Sequence, residues 1–282
     1  MNFPIDEHVR GAPAHLAALI VTLAILGCGQ DIVARAESAG TQFEAERPTV
    51  LITGSNRGIG LGFARYYAAE GWNVIATCRK PKVANELQNL AREHSQLVIE
   101  QLDVTDHARI EALAEQYSQV PIDLLINNAA VLGDLEEQQY GSLDFDLFEW
   151  VMAVNVYGPM KMGEAFTEHV AASDQKKIVT LTSGLGSLKL MGSMKGMNYY
   201  RISKAGVNMA MRGLRSDLKG RGIIVALMAP GMVGTQLLAD SGWDGPSLTT
   251  DESVAGMAPL IAGLTTEDKG TPTNVTGRAI PW

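Results

Sequence analysis

"TVLITGSNRGIGLGFARYY", Thr49–Tyr67, decides the fold. The run "TVLIT" (49–53) is β-branched or apolar throughout, as a strand buried on both faces requires. "GLGFARYYAAEG" (60–71) has helical spacing. Between them lies "TGSNRGIG" (53–60), a glycine-rich passage from strand to helix. Such a turn lets the backbone approach a pyrophosphate, whose charge is met by the amides at the helix N-terminus. The spacing is G-x-x-x-G-x-G rather than the commoner G-x-G-x-x-G. Glycines also simply build tight turns, so position carries the weight here. At the first strand of a strand–helix series, Gly54, Ser55, Asn56, Arg57, Gly58, Ile59 and Gly60 are expected to cradle a dinucleotide.

Downstream, short apolar runs alternate with amphipathic stretches. "NVIATC" (73–78), "QLVIEQL" (96–102), "IDLLIN" (122–127), "KIVTLTS" (177–183) and "GIIVALM" (222–228) read as further buried strands. "ANELQNLAREH" (84–94), "ARIEALAEQYSQ" (108–119), a long segment 145–170 and the segment 200–220 read as helices. The alternation implies βαβ units with right-handed crossovers. The expected fold is one α/β domain, a Rossmann-type doubly wound parallel sheet with helices on both faces. Cofactor choice is read where the second strand ends. An NAD site usually carries a carboxylate there, whereas this strand runs into Cys78, Arg79 and Lys80. Arg79, with Arg57 in the glycine turn, suits a 2′-phosphate. Both could equally be solvated surface charges; their placement favours NADP(H), with NAD(H) as the alternative.

"NYYRISKAG" (198–206) raises a second question. On a helix, with about 100° per residue, Tyr200 and Lys204 share a face while Tyr199 points elsewhere. A tyrosine near pKa 10 is a weak acid at neutral pH, and a neighbouring ammonium is expected to lower it into range. Ligands in such sheets bind beyond the carboxyl ends of the strands, so Ser183, closing "TLTSG", can meet this helix there. Singly, Tyr200 would be a packing residue and Lys204 a solvated charge; with the glycine turn they form a reactive set. Arg201, Ile202 and Ser203 read as spacers.

Seven motifs now stand in order: "TGSNRGIG", "LDVTD" (102–106), "NNAA" (127–130), "NVYG" (155–158), the strand-end serine, Y-x-x-x-K and "PGMVGT" (230–235). From about Pro48 onward the chain resembles the classical short-chain dehydrogenases/reductases. "ITGSNRGIGLGFARYY", "TSGLGS", "ESVAGM" and the terminal "IPW" are most similar to the C-factor/sniffer-like carbonyl reductase branch. The resemblance implies Tyr200 as general acid/base, with Lys204 lowering its pKa and holding the nicotinamide ribose. It implies Ser183 orienting the substrate oxygen and Asn155 holding a water of a proton relay. Asp103 and Val104 would contact adenine, Asn127 and Ala129 would lie along the cofactor, and Pro230, Gly231, Val233 and Thr235 would line the nicotinamide. It also implies a homodimer or homotetramer packed through the helices near 145–170 and 200–220, where Phe148, Val151, Met152 and Met209 could equally be core. "NNAA" replaces the family's N-N-A-G, and Ala130 is expected to be tolerated. Ser187 lies closer to Tyr200 in sequence, but Ser183 is preferred because the strand end fixes its direction. "LKLMGSMKGM" (188–197) shapes the substrate mouth or forms a loop, and the short polar segment after Thr235, with Trp243, suggests an open pocket.

The bulk numbers narrow the function. A net charge of −8 over 282 residues, without a basic run, argues against a nucleic-acid partner. Cys28 and Cys78 lack metal-ligand spacing, the five histidines are scattered, and no metal is expected. Residues 1–47 read as a leader outside the fold, and 48–282 as the NAD(P)-binding domain. Within the leader, Leu16–Leu26 is continuously apolar, short for a bilayer span, and followed by "ARA" at 34–36. Asp6 and Glu7 offset Arg10, unlike a signal peptide. Export, a membrane-associating helix through 16–26 and an upstream extension all stay open; the catalytic domain is expected in the cytoplasm. The resulting expectation is NADP(H)-dependent hydride transfer between nicotinamide and a carbonyl or secondary alcohol. A cofactor-binding signalling protein of C-factor type is the alternative.

Overall fold

The structure, a computed structural model, describes residues 43–192 and 195–282. The apolar run of the leader lies outside the described residues. Among those described, no helix is long and apolar enough to cross a membrane.

Among the described residues, seven parallel strands form one sheet in the order β3-β2-β1-β4-β5-β6-β7. They are β1 (Thr49–Ile52), β2 (Asn73–Cys78), β3 (Leu97–Gln101), β4 (Leu124–Asn127), β5 (Lys177–Leu181), β6 (Ile224–Ala229) and β7 (Thr273–Asn274). The helices are α1 (Gly58–Ala69), α2 (Asn85–Glu93), α3 (His107–Gln116), α4 (Phe145–Met152), α5 (Gly158–Ala165), α6 (Thr167–Ala171), α7 (Asn198–Leu218), α8 (Gln236–Asp240) and α9 (Thr250–Ala262). Alternate residues of each central strand enter opposite cores. Val50 and Ile52 pack with Phe63 of α1 and Met257 of α9, whereas Leu51 packs with Ile110 of α3 and Met211 of α7. Burial on both faces explains why the strands are apolar without alternation. The strand order reverses between β1 and β4, and beyond their carboxyl ends a crevice opens.

Two expectations are corrected here, and one segment gains detail. The helix expected over 145–170 is broken. After α4 the chain widens into a π-helical turn, Ala153–Tyr157, before α5 and α6. Pro159 has no N–H to donate to the Asn155 carbonyl four residues back, so a regular α-helix cannot continue through it. The leader boundary at 47 is too late, because residues 43–47 already pack on the domain. Asn73 Nδ2 donates to the carbonyls of Glu44 (2.9 Å) and Arg47 (3.2 Å), and Phe43 stacks on Tyr117. The polar segment after Thr235 contains α8 and leads into α9, which begins with a reciprocal capping box between Thr249 and Glu252.

Candidate active site

A cavity of about 1110 Å³ runs along the carboxyl edge of the sheet, from the glycine turn to Tyr200. At its first end β1 stops and the chain turns through Gly54 (φ +70) and Gly58 (φ +56), a left-handed geometry costly for other residues. The turn is packed too closely for a side chain at Gly60. A Cβ there would lie 2.3 Å from the Gly54 carbonyl oxygen and 2.5 Å from Asn128 Nδ2. The α1 N-terminus has no side-chain cap and no acid in its first turn, leaving its amides for an anion. Gly54, Asn56, Arg57, Gly58 and Ile59 line the cavity. Ser55 and Gly60 are not among the lining residues: Ser55 is fully buried, its Oγ donating to the Ile52 carbonyl (2.9 Å), and Gly60 packs the turn.

Cys78, Arg79, Asp103 and Val104 continue the wall, with Arg57 and Arg79 exposed. One carboxylate oxygen of Asp103 accepts from Thr105 N and Oγ1, which fixes the loop after β3. Asn127 does not line the cavity; it is buried beneath, donating to Thr180 Oγ1 at 3.2 Å. Its neighbour does the work at the wall, and sequence reasoning missed it. Asn128 Nδ2 donates to the carbonyls of Thr53 (2.8 Å) and Gly54 (3.1 Å), tying the glycine turn to the β4 end. Two adjacent asparagines at a strand end were the available signal, since only one of them can face the crevice. Ala129, Ala130, Pro230, Gly231, Val233 and Thr235 complete the middle of the cavity.

At the far end Ser183, Tyr200 and Lys204 come together. Tyr200 and Lys204 project from one face of α7, and Lys204 Nζ lies 5.6 Å from the Tyr200 ring centroid. Lys204 Nζ donates to the Leu181 carbonyl at 3.0 Å. Ser183 sits just past β5, where its Oγ accepts from Leu185 N at 3.1 Å and it lines the cavity with Tyr200. Ser187 also lines the cavity, and its Oγ likewise accepts from a backbone amide, Leu190 N at 3.2 Å. Gly186 lets this turn approach α7, since a Cβ would lie 2.8 Å from the Lys204 carbonyl carbon. Tyr199 turns away and packs edge-on against Phe148, with centroids 5.1 Å apart.

Burial governs the charges here. It pushes the Tyr200 phenol up to about 12, partly opposed by the neighbouring Ser183 hydroxyl. It also pushes the Lys204 ammonium down to about 8. The expected lowering of the phenol is therefore not seen in this structure. Both groups lose their water, and the lysine spends its hydrogen bond on the Leu181 carbonyl rather than on the phenol.

Asn155 lies at the π-helical turn, buried behind the cavity wall rather than lining it. Its side chain holds both backbone groups of Val131, at 2.9 and 2.8 Å, and donates to Ser203 Oγ at 2.9 Å. Ser203 in turn donates to the Tyr200 carbonyl at 2.7 Å, so it is no mere spacer. Arg201 is not one either: it is buried against the cavity, with one terminal nitrogen 3.3 Å from Met191 Sδ. Leu190, Met191 and Met197 of the 188–197 segment line the cavity, as do Leu237 and Trp243, giving it an apolar share of wall.

An anion-ready helix terminus, a cradle that side chains would fill, two exposed guanidinium groups and a buried phenol beside a lysine suit an extended phosphorylated cofactor with a reactive end. The comparisons agree with that geometry. The short chain dehydrogenase family model matches residues 48–244. A 1-hydroxy-2-glutathionyl-2-methyl-3-butene dehydrogenase from Rhodococcus sp. strain AD45 is 32% identical over 236 residues, covering 83% of this chain and 99% of its own. C-signal from Myxococcus xanthus is 32% identical over 173 residues, 61% of this chain and all of its own. The crystal structure of NADPH-bound carbonyl reductase from chicken fatty liver superposes with a TM-score of 0.77 at 32% identity, covering 86% of this chain and 97% of that one. With the glycine turn, the Ser183–Tyr200–Lys204 cluster and the parallel sheet all on one crevice, this chain belongs to the short chain dehydrogenase family.

Proposed function

We propose that this protein is an NADPH-dependent reductase of a carbonyl compound, acting in reverse as an alcohol dehydrogenase. The observation that carries the proposal is the buried Tyr200 phenol, sharing a cavity wall with Ser183 and lying close to Lys204, in the same cavity as the open α1 terminus. NADPH would supply the hydride. Gly54, Asn56, Gly58 and Ile59 would hold its pyrophosphate, and Arg57 and Arg79 its 2′-phosphate. The NADPH bound to the chicken carbonyl reductase supports this cofactor choice. Ser183 Oγ would orient the substrate oxygen, and the Tyr200 hydroxyl would donate the proton that oxygen takes up on reduction. A phenol held at about 12 stays protonated throughout the neutral range, which suits an acid in the reductive direction. Lys204 would hold the nicotinamide ribose and stabilise the phenolate left behind. Asn155, in the π-helical turn that interrupts the helix, would contribute to the return of the proton through water.

Exposed apolar side chains on α4 and α5 and the turn joining them (Phe145, Trp150, Tyr157, Met160), and on α7 (Ile202, Met209), support a homodimer or homotetramer. The likeness to C-signal favours a second reading, a cofactor-binding signalling protein with little turnover.

The deciding experiment is a carbonyl panel assayed with NADPH and NADH in parallel. Tyr200→Phe should lose about 10²–10⁴-fold in kcat, the usual worth of a positioned proton donor, while NADPH affinity stays within about twofold. Turnover unchanged in Tyr200→Phe would reject the assignment. Rescue of a deletion phenotype by Tyr200→Phe/Lys204→Ala would select the signalling reading.

A further inference from the structure

We infer that Gln138, in the loop after β4, is a positioning residue that fixes the backbone of Tyr200. The inference rests on Tyr200 as the proton donor proposed above. Helix α7 starts after Met197, which has φ 53, and has no side-chain cap of its own. Its first amides therefore need an acceptor from elsewhere. Gln138 supplies it from 61 and 62 residues away in sequence. Its side-chain oxygen accepts from Tyr199 N at 3.1 Å and from Tyr200 N at 3.3 Å.

The same side chain is held from behind. Gln138 Nε2 donates to the carbonyls of Leu132 (3.2 Å) and Asp134 (2.8 Å), and the Gln138 carbonyl accepts from Asn198 Nδ2 at 2.7 Å. Gln138 is fully buried. The chain reaches it through Gly133, at φ +81, where a Cβ would stand 3.1 Å from Val151 Cγ2 and 3.4 Å from Gln138 Nε2. On the other side of Tyr200, its carbonyl accepts from Ser203 Oγ, which Asn155 holds together with Val131. Both backbone groups of Tyr200 are thus tied to one loop, 131–138, whose Val131 and Leu132 line the cavity. A satisfied buried network of this kind is rigid, and one broken member leaves its partners unmet. Because a misplacement near 1 Å can cost about 10²-fold, the amide that holds the proton donor's backbone bears on turnover.

Two substitutions separate this role from simple loop support. Gln138→Glu keeps an acceptor for the Tyr199 and Tyr200 amides and, held neutral by burial among carbonyl oxygens, donates its carboxyl proton to one of the Leu132 and Asp134 carbonyls. Gln138→Met keeps the length and removes both functions. Gln138→Met should lower kcat about tenfold or more, with the NADPH dissociation constant within about twofold, and Gln138→Glu should stay within about threefold of wild type. Hydrogen exchange of the Tyr199 and Tyr200 amides gives a readout independent of turnover, with protection lost in Gln138→Met and kept in Gln138→Glu. If Gln138→Met does not fold, Gln138→Asn draws the amide back by one methylene and should show the same losses. Equal losses in the Glu and Met variants, wild-type kcat in Gln138→Met, or unchanged amide protection would each overturn the inference. A wild-type protein inactive on every carbonyl would reject the proposed function alone; the exchange measurement would still judge Gln138.

Discussion

Lys204 and Tyr200 are stabilised in opposite protonation senses by the same loss of water, and the lysine makes the consequence measurable. Its folded value of about 8 lies below the unfolded 10.5. Between those values the unfolded chain holds a proton that the folded chain has released, so stability rises with pH across that window. Below about pH 8 the full cost of burying the ammonium is present. Lys204→Met should therefore stabilise the protein most below pH 8, by up to about 3 kcal/mol less the lost bond to Leu181. The difference should shrink as the pH approaches 10.5. Urea titrations of both proteins from pH 7 to 10.5 check this; a gap that widens with pH would reject it. At this scale the sequence placed Tyr200 and Lys204 on one face, because helical spacing is local. It did not show Gln138, Asn128 or the buried Arg201, whose partners lie far along the chain or behind a turn.

Elements carry the site because they end where the cofactor would lie. The strand, turn and helix of 49–69 were legible because burial on both faces and glycine spacing are both written locally. Gly60→Ala should cost about 1–3 kcal/mol and weaken NADPH binding, since backbone oxygen and a pinned amide cannot yield to the added methyl. Gly213, exposed on α7, is the contrasting case. Among the described residues a Cβ there meets nothing within 4 Å, and Gly213→Ala should stabilise by about 0.5–1 kcal/mol. Thermal melts of both variants, with NADPH titration of the first, test the pair. The α9 start carried its own signal, Thr249 three residues before Glu252. The break at Ala153–Tyr157 was legible too, in Pro159.

At the scale of the molecule, a ligand spanning the whole cavity should stabilise the whole domain. NADPH at 100 times its dissociation constant adds about 2.7 kcal/mol. For a domain of this size that is a rise of about 5–10 °C in melting temperature. The same concentration of NADH should give less, and Arg57→Ala/Arg79→Ala should narrow the gap between the two cofactors. Equal shifts for both cofactors in the wild type would remove the 2′-phosphate assignment. The sequence by itself determined the parallel sheet, the phosphate turn and the Tyr200–Lys204 pair, since apolar periodicity, glycine and helical spacing act within a few residues. Only the tertiary structure decided which strand-end asparagine faces the crevice, where Asn155 spends its side chain, how burial sets the two charges, and that Gln138 caps α7. Each of these depends on water excluded, or hydrogen bonds made, by segments distant in the chain, and no local pattern encodes that.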